Sequence, residues 1–123
     1  MNMADRLYMN DMRFQLHVGA TETERMTKQT ISITVGLEAE LRNAGAADDL
    51  SRTINYADLY KEIQARVEGK EFNLIEAVAE TVTDLVLGHP RVDAVMVRVV
   101  KQLPKPRYSL RDVTVEIYRK RGE

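Results

Sequence analysis

From Met12 to Val18 apolar and polar side chains alternate, with Met12, Phe14, Leu16 and Val18 set against Arg13, Gln15 and His17. A period of two marks a strand with one buried face. Gly19 to Lys28 is polar and predicts a loop. The alternation then resumes over a longer stretch, Ile31, Ile33, Val35, Leu37, Ala39 and Leu41 against Ser32, Thr34, Gly36, Glu38 and Glu40, and predicts a second strand. Asn43 to Asp49 is small and acidic and predicts a turn or loop. After it the period lengthens. Leu59, Ile63 and Val67 share one helical face, with Asn55 placed to cap the helix and Gly69 to stop it. Leu74, Val78, Val82 and Leu85 form the stripe of a second helix, with Asn73 as its expected cap and Gly88 and Pro90 as its close. Alternation returns at Val95, Val97 and Val99, and again at Val113, Val115 and Ile117. Between these strands, Leu103-Pro104-Lys105-Pro106 predicts a stiff connection whose prolines cannot donate to a ladder.

Strand, strand, helix, helix, strand, strand is an α+β order. It predicts a four-stranded antiparallel sheet with both helices packed on one face. At 123 residues, the chain suits one domain spanning positions 1–123. An open sheet has two edges, and the second strand is too long and regular to be a safe solitary edge. Pairing with neighbouring subunits follows as an expectation.

Composition narrows the partners. A formal net charge of -1 gives no electrostatic reason to expect nucleic acid or an anionic membrane surface. No cysteine is present, so disulfides and thiolate metal sites are out, and two histidines cannot supply a three-histidine zinc site within one chain. Metal sites of those two kinds are therefore not expected. The Met1-Asn2-Met3-Ala4-Asp5-Arg6 start lacks an apolar leader core and no stretch approaches the length of a membrane span, which makes the cytosol the expected compartment.

Four polar residues stand at element boundaries, where a rigid scaffold would present a site. Glu24 lies in the first loop, Tyr56 opens the first helix, Glu76 lies in the first turn of the second, and Lys101 ends the third strand on the face of Val95, Val97 and Val99. Each has a structural reading when taken singly. Glu76 would complete a capping box with Asn73, Tyr56 would be a core-edge tyrosine, Glu24 a solvated charge, and Lys101 a strand terminator. His17 and His89 show no ligand spacing and receive no role.

Taken together, these segments resemble the dihydroneopterin aldolase family over nearly the whole chain. The matching pieces are Met12-Arg13-Phe14, Gly19-Ala20 with Glu24 and Gln29, and Ile54-Asn55-Tyr56. Val67-Glu68-Gly69-Lys70 then leads into Phe72-Asn73-Leu74-Ile75-Glu76, followed by Val97-Arg98-Val99 with Lys101 and Val113-Thr114-Val115-Glu116-Ile117. The resemblance implies a ββααββ tunnelling fold whose subunits form tetrameric rings, commonly stacked as octamers, with a pterin bound between neighbours. It implies 7,8-dihydroneopterin as substrate, a retro-aldol cleavage that uses neither metal nor cofactor, and a place in folate biosynthesis. Carried onto this chain, Glu76 would grip the pterin edge, the Ile75 backbone would add a hydrogen bond, and Tyr56 of a neighbouring subunit would stack near the ring. Glu24 would meet the trihydroxypropyl tail or a water beside it, and Lys101 would be the acid/base near N5.

Two alternatives stay open. The Arg107-Tyr108 pair is similar to the ending of dihydroneopterin triphosphate epimerases, and Lys105, Arg107 and Arg111 would either meet a triphosphate or form a solvated surface. A non-catalytic pterin-binding module would need only the Glu76 clamp, whereas Lys101, Tyr56 and Glu24 together favour turnover.

Overall fold

The computed structural model describes residues 4–103 and 109–123. The proline connection at 104–106 and the Arg107-Tyr108 pair lie outside the described residues. The elements run β1 (Arg6–Val18), α1 (Glu22–Arg25), β2 (Gln29–Glu38), α2 (Arg42–Ala47), a 3₁₀ turn (Leu50–Arg52), α3 (Tyr56–Val67), β3 (Glu71–Phe72), α4 (Ile75–Leu87), β4 (Ala94–Gln102) and β5 (Asp112–Lys120). The sheet has five strands rather than the expected four, in the order β3-β1-β2-β4-β5. The fifth is the two-residue β3, which pairs parallel to β1 through His17–Glu71 and Val18–Phe72. A strand of two residues has no period for the sequence pattern to reveal. The other three pairings are antiparallel, which keeps the α+β reading intact.

β2 is central, not an edge, which corrects the reading that made it the exposed strand. The outer edges are β5 and most of β1, which β3 covers only at His17 and Val18. Inward-facing residues form one core: Phe14, Leu16 and Val18 of β1, Ile31, Ile33, Val35 and Leu37 of β2, and Val95, Val97 and Val99 of β4, all at 1% exposure or less. α3 lays Leu59, Ile63 and Val67 on that face, as expected, and α4 adds Val78, Ala79, Val82 and Val86.

β1 starts six residues before the alternation that announced it. Between Met9 and Met12 its register against β2 shifts by a bulge. Asp11 takes the left-handed conformation there (φ 53), which a short polar side chain tolerates. Its N–H donates to Thr34 Oγ1 at 3.0 Å, and its carboxylate accepts from Ser32 and Arg13. The bulge puts two buried methionines three positions apart and so hides the strand's period.

Asn55 caps α3 by accepting from the N–H groups of Ala57 and Asp58 at 3.1 and 3.3 Å. Asn73 does not cap α4. The helix opens one residue later, with Leu74 as N-cap and no side-chain cap bond, so the expected capping box with Glu76 is absent. Leu74 is half exposed instead of joining the buried stripe, and Ile75 takes the inward position. The segment between the helices is fixed to β1. Gly69, at φ 72, turns the chain so that its N–H donates to Gln15 O at 2.7 Å, His17 N–H donates to Lys70 O at 2.8 Å and Gly19 N–H to Phe72 O at 3.1 Å. These bonds place the start of α4 beside the start of the first loop.

Candidate active site

Lys101 and Glu24 are 77 positions apart in sequence and in contact in space. Lys101 Nζ donates to Glu24 Oε2 at 2.8 Å, and the lysine side chain is only 12% exposed against 41% for the glutamate. Lys101 is paired with Ile31 of β2 and Val113 of β5, at the end of the sheet where the buried row gives way to solvent. An ammonium has three protons, and Glu24 takes one of them. A cavity of about 280 Å³ beside the pair is lined by Thr21, Thr23, Thr27, Gln29 and Leu103 as well as Glu24 and Lys101.

The first loop is built to hold Glu24. Thr21 caps the short α1 by accepting from Glu24 N–H at 3.2 Å, and its hydroxyl donates to Glu24 Oε1, also at 3.2 Å. Gln29 Nε2 donates to Val18 O at 2.7 Å and to Glu24 O at 3.0 Å, tying the loop to both flanking strands. Gly19 is packed so closely that a Cβ there would overlap the Glu24 stem. Gly19 and Gln29 therefore set the approach of this carboxylate.

The hydrogen bond from Lys101 holds the Glu24 carboxyl below its ordinary value of 4.5, and the Thr21 bonds act in the same direction. A carboxyl depressed by folding contributes stability above its unfolded pKa and loses it as pH falls through the folded one. Wild type and Glu24→Gln should therefore differ in stability near neutrality and converge only below the ordinary carboxylate range. Acid unfolding followed by circular dichroism checks this; convergence already at pH 5 would contradict the pairing.

Neither Glu76 nor Tyr56 bonds to this pair among the described residues. Glu76 is exposed in the first turn of α4 and makes no hydrogen bond or ion pair among the described residues. Its carboxylate and the uncapped N–H groups at Ile75 form a polar corner that contributes nothing to the fold through side-chain bonds. Ile75 itself is buried at 7% exposure and supplies only its backbone to that corner. Tyr56 is 65% exposed on α3 and lines an apolar groove with Tyr60, Ala57 and the Leu7–Met12 stretch of β1. That groove shares no lining residue with the Lys101 cavity. Of its β1 residues, Leu7 lies on the row that crosses the sheet through Leu37 and Val95, and Met12 on the row through Ile33 and Val99, two positions before Lys101.

The two histidines have structural partners. A ring nitrogen of His17 is 2.9 Å from Arg25 O, and one of His89 is 2.8 Å from Glu62. Arg111 pairs with Asp112 at 2.9 Å and is largely exposed; Lys105 and Arg107 lie outside the described residues. Sequence reasoning named Glu24 and Lys101 but missed Thr21, which only the geometry around α1 reveals, since threonine in a polar loop carries no signal of its own. Among the described residues no helix is long and apolar enough to cross a membrane.

Comparison with known proteins gives the same direction. The sequence model of dihydroneopterin aldolase matches residues 7–118. A dihydroneopterin aldolase of Bacillus subtilis is 35% identical over 119 residues, 96% of this chain and 99% of that one. One from Streptomyces coelicolor is 35% identical over 117 residues, 95% of this chain and 98% of that one. The structure of the E. coli dihydroneopterin aldolase in complex with neopterin superposes with a TM-score of 0.86 at 25% identity, over 94% of this chain and 98% of that one. With the polar residues at the ends of β4, α1 and α4 and the match running through all the main elements, this chain belongs to the dihydroneopterin aldolase family.

Proposed function

We propose that this protein is a 7,8-dihydroneopterin aldolase of folate biosynthesis, an aldehyde-lyase whose single domain spans residues 1–123, working in the cytosol. The observation that carries the residue assignment is the Lys101–Glu24 pair at 2.8 Å, half-withdrawn from solvent beside an open cavity.

Retro-aldol cleavage needs a base for the 2′-hydroxyl proton, an acceptor for the electrons of the breaking C1′–C2′ bond, and an acid. The C6=N5 system of the substrate is the acceptor. As glycolaldehyde leaves, the electron pair moves into the ring and gives an enamine, and protonation at C1′ yields 6-hydroxymethyl-7,8-dihydropterin. The substrate is its own electron sink, so the residues need only bind it and move protons. Lys101 is the acid/base near N5, acting directly or through a water. Glu24 orients the lysine and meets the trihydroxypropyl tail. Glu76 receives the 2-amino and N3–H edge of the pterin in two parallel hydrogen bonds, the geometry with which a carboxylate meets a guanidinium. The Ile75 backbone adds a further contact at the uncapped end of α4.

Tyr56 completes the site from a neighbouring subunit, stacking near the ring and offering its hydroxyl to the side chain. Two features support this. Tyr56 and Lys101 line separate surfaces of one chain, and the two open edges, β5 and the outer side of β1, leave unpaired strands that another copy can extend. A ring of four, single or stacked in pairs as an octamer, brings the two surfaces together.

The test is incubation with 7,8-dihydroneopterin and measurement of both products. Glycolaldehyde and 6-hydroxymethyl-7,8-dihydropterin should appear in equal amounts. Conversion to dihydromonapterin without glycolaldehyde would make the enzyme an epimerase, which shares the cleavage and re-adds the fragment. Tight pterin binding with neither product would make the chain a binding module.

A further inference from the structure

We propose that Thr21 is a positioning residue for the cleavage, its hydroxyl holding Glu24 Oε1 while Lys101 holds Oε2, so that the carboxylate aims the lysine. The inference rests on the reading of Lys101 as the acid/base. Its basis is a division of labour around one carboxylate. A glutamate side chain on a four-residue helix, 41% exposed, would ordinarily sample several rotamers. Here every polar group is assigned. The Thr21 oxygen accepts from Glu24 N–H and its proton goes to Oε1, both at 3.2 Å, while the lysine occupies Oε2 at 2.8 Å. The Glu24 stem packs against Gly19 where any larger side chain would overlap it, and Gln29 pins the Glu24 carbonyl at 3.0 Å.

Among the described residues, Lys101 of β4 is the ionisable group paired with the Glu24 carboxylate. Arg25 of α1 is turned to Gly19 O at 3.0 Å and to Glu71 of β3 at 3.2 Å. Among the described residues, the Thr21 hydroxyl is the neutral donor bonded to the second oxygen, and Thr21 also lines the cavity in which the substrate tail would lie.

The test compares Thr21→Val, Thr21→Ser, Thr21→Asp and Lys101→Gln in steady-state cleavage of 7,8-dihydroneopterin across pH. Valine keeps the shape and loses the donor. Turnover should fall about tenfold, as expected for one hydrogen bond to a charged group, with KM within about twofold. The acid limb should move to higher pH, because a carboxylate that loses a donor is easier to protonate. Serine should restore both. Aspartate can still cap α1 by accepting from Glu24 N–H, but it has no proton for Oε1 and places a like charge beside it. It should be at least as impaired as valine.

Aspartate performing like serine would reduce Thr21 to a helix cap, and valine performing like wild type would remove it altogether; either overturns the proposal. Lys101→Gln separates this from a failure of the underlying reading. If that variant turns over normally, the lysine assignment falls. If it is inactive while Thr21→Val is normal, only the Thr21 proposal falls.

Discussion

Replacing Lys101 with glutamine should cut the release of glycolaldehyde by about 10²- to 10⁴-fold, the range supplied by a positioned acid/base, while pterin affinity changes by no more than about threefold. The asymmetry follows from where the lysine sits. It lies at the end of β4, bonded to Glu24, and not at the polar corner of α4 proposed to hold the ring. Glutamine is of similar length and retains a donor for Glu24, so the loop remains held and the fold intact. What disappears is the charge and the transferable proton at N5. In kinetic terms kcat and kcat/KM should fall together, the mark of an interaction made in the transition state. A loss of neopterin binding in fluorescence titration, with residual turnover preserved at saturation, would show that the lysine is a binding group.

Glu76→Ala should do the reverse. Two hydrogen bonds to an ionised carboxylate, at about 1.5 to 3 kcal/mol each, correspond to a loss of roughly 10²- to 10⁴-fold in pterin affinity. Stability should change little, because Glu76 is exposed, makes no side-chain bond among the described residues, and does not cap α4. This combination is diagnostic. A carboxylate with a structural task would lower Tm when removed, and one with a ligand task would not. Calorimetric titration with neopterin, alongside a thermal melt of the same sample, measures both. Wild-type affinity in a normally folded Glu76→Ala protein would remove the clamp from the mechanism.

The periodic part of the fold was open to reading from sequence because burial there has a strict period. β2, β4 and α3 each present one continuous apolar face, and the residues expected on those faces are buried except Leu41, which is only partly buried and lies past the end of β2 at Glu38. Elements without such a face were invisible. α1 and α2 bury no residue at all, so a short helix was read as a polar loop in each case. β3 is two residues long, and the bulge at Asp11 breaks the alternation of β1 where its first half, from Arg6, ends. Asn73 has the chemistry of a cap, but α4 starts one position later, after a segment whose backbone is bonded to β1 through Gly69–Gln15, Lys70–His17 and Phe72–Gly19.

The site divides in the same way. Glu24 and Lys101 meet because the fold brings the first loop to the end of β4, an encounter that sequence order suggested only through family resemblance. The support that Thr21 and Gly19 give to the carboxylate depends on distances of a few ångströms and leaves no trace in composition or period. Tyr56 is nameable from sequence but not placed by it, because the role proposed for it depends on geometry between chains.

Whether one chain's Tyr56 serves a neighbour's Lys101 can be measured directly. Lys101→Gln and Tyr56→Ala proteins should each be inactive alone. Unfolded together in equal amounts and refolded, they should regain activity, because some sites then draw an intact lysine from one chain and an intact tyrosine from its neighbour. Random mixing predicts about a quarter of the wild-type rate for sites shared between two subunits. Mixed assemblies that remain as inactive as the separate variants would place both residues in a site within one chain and contradict the account.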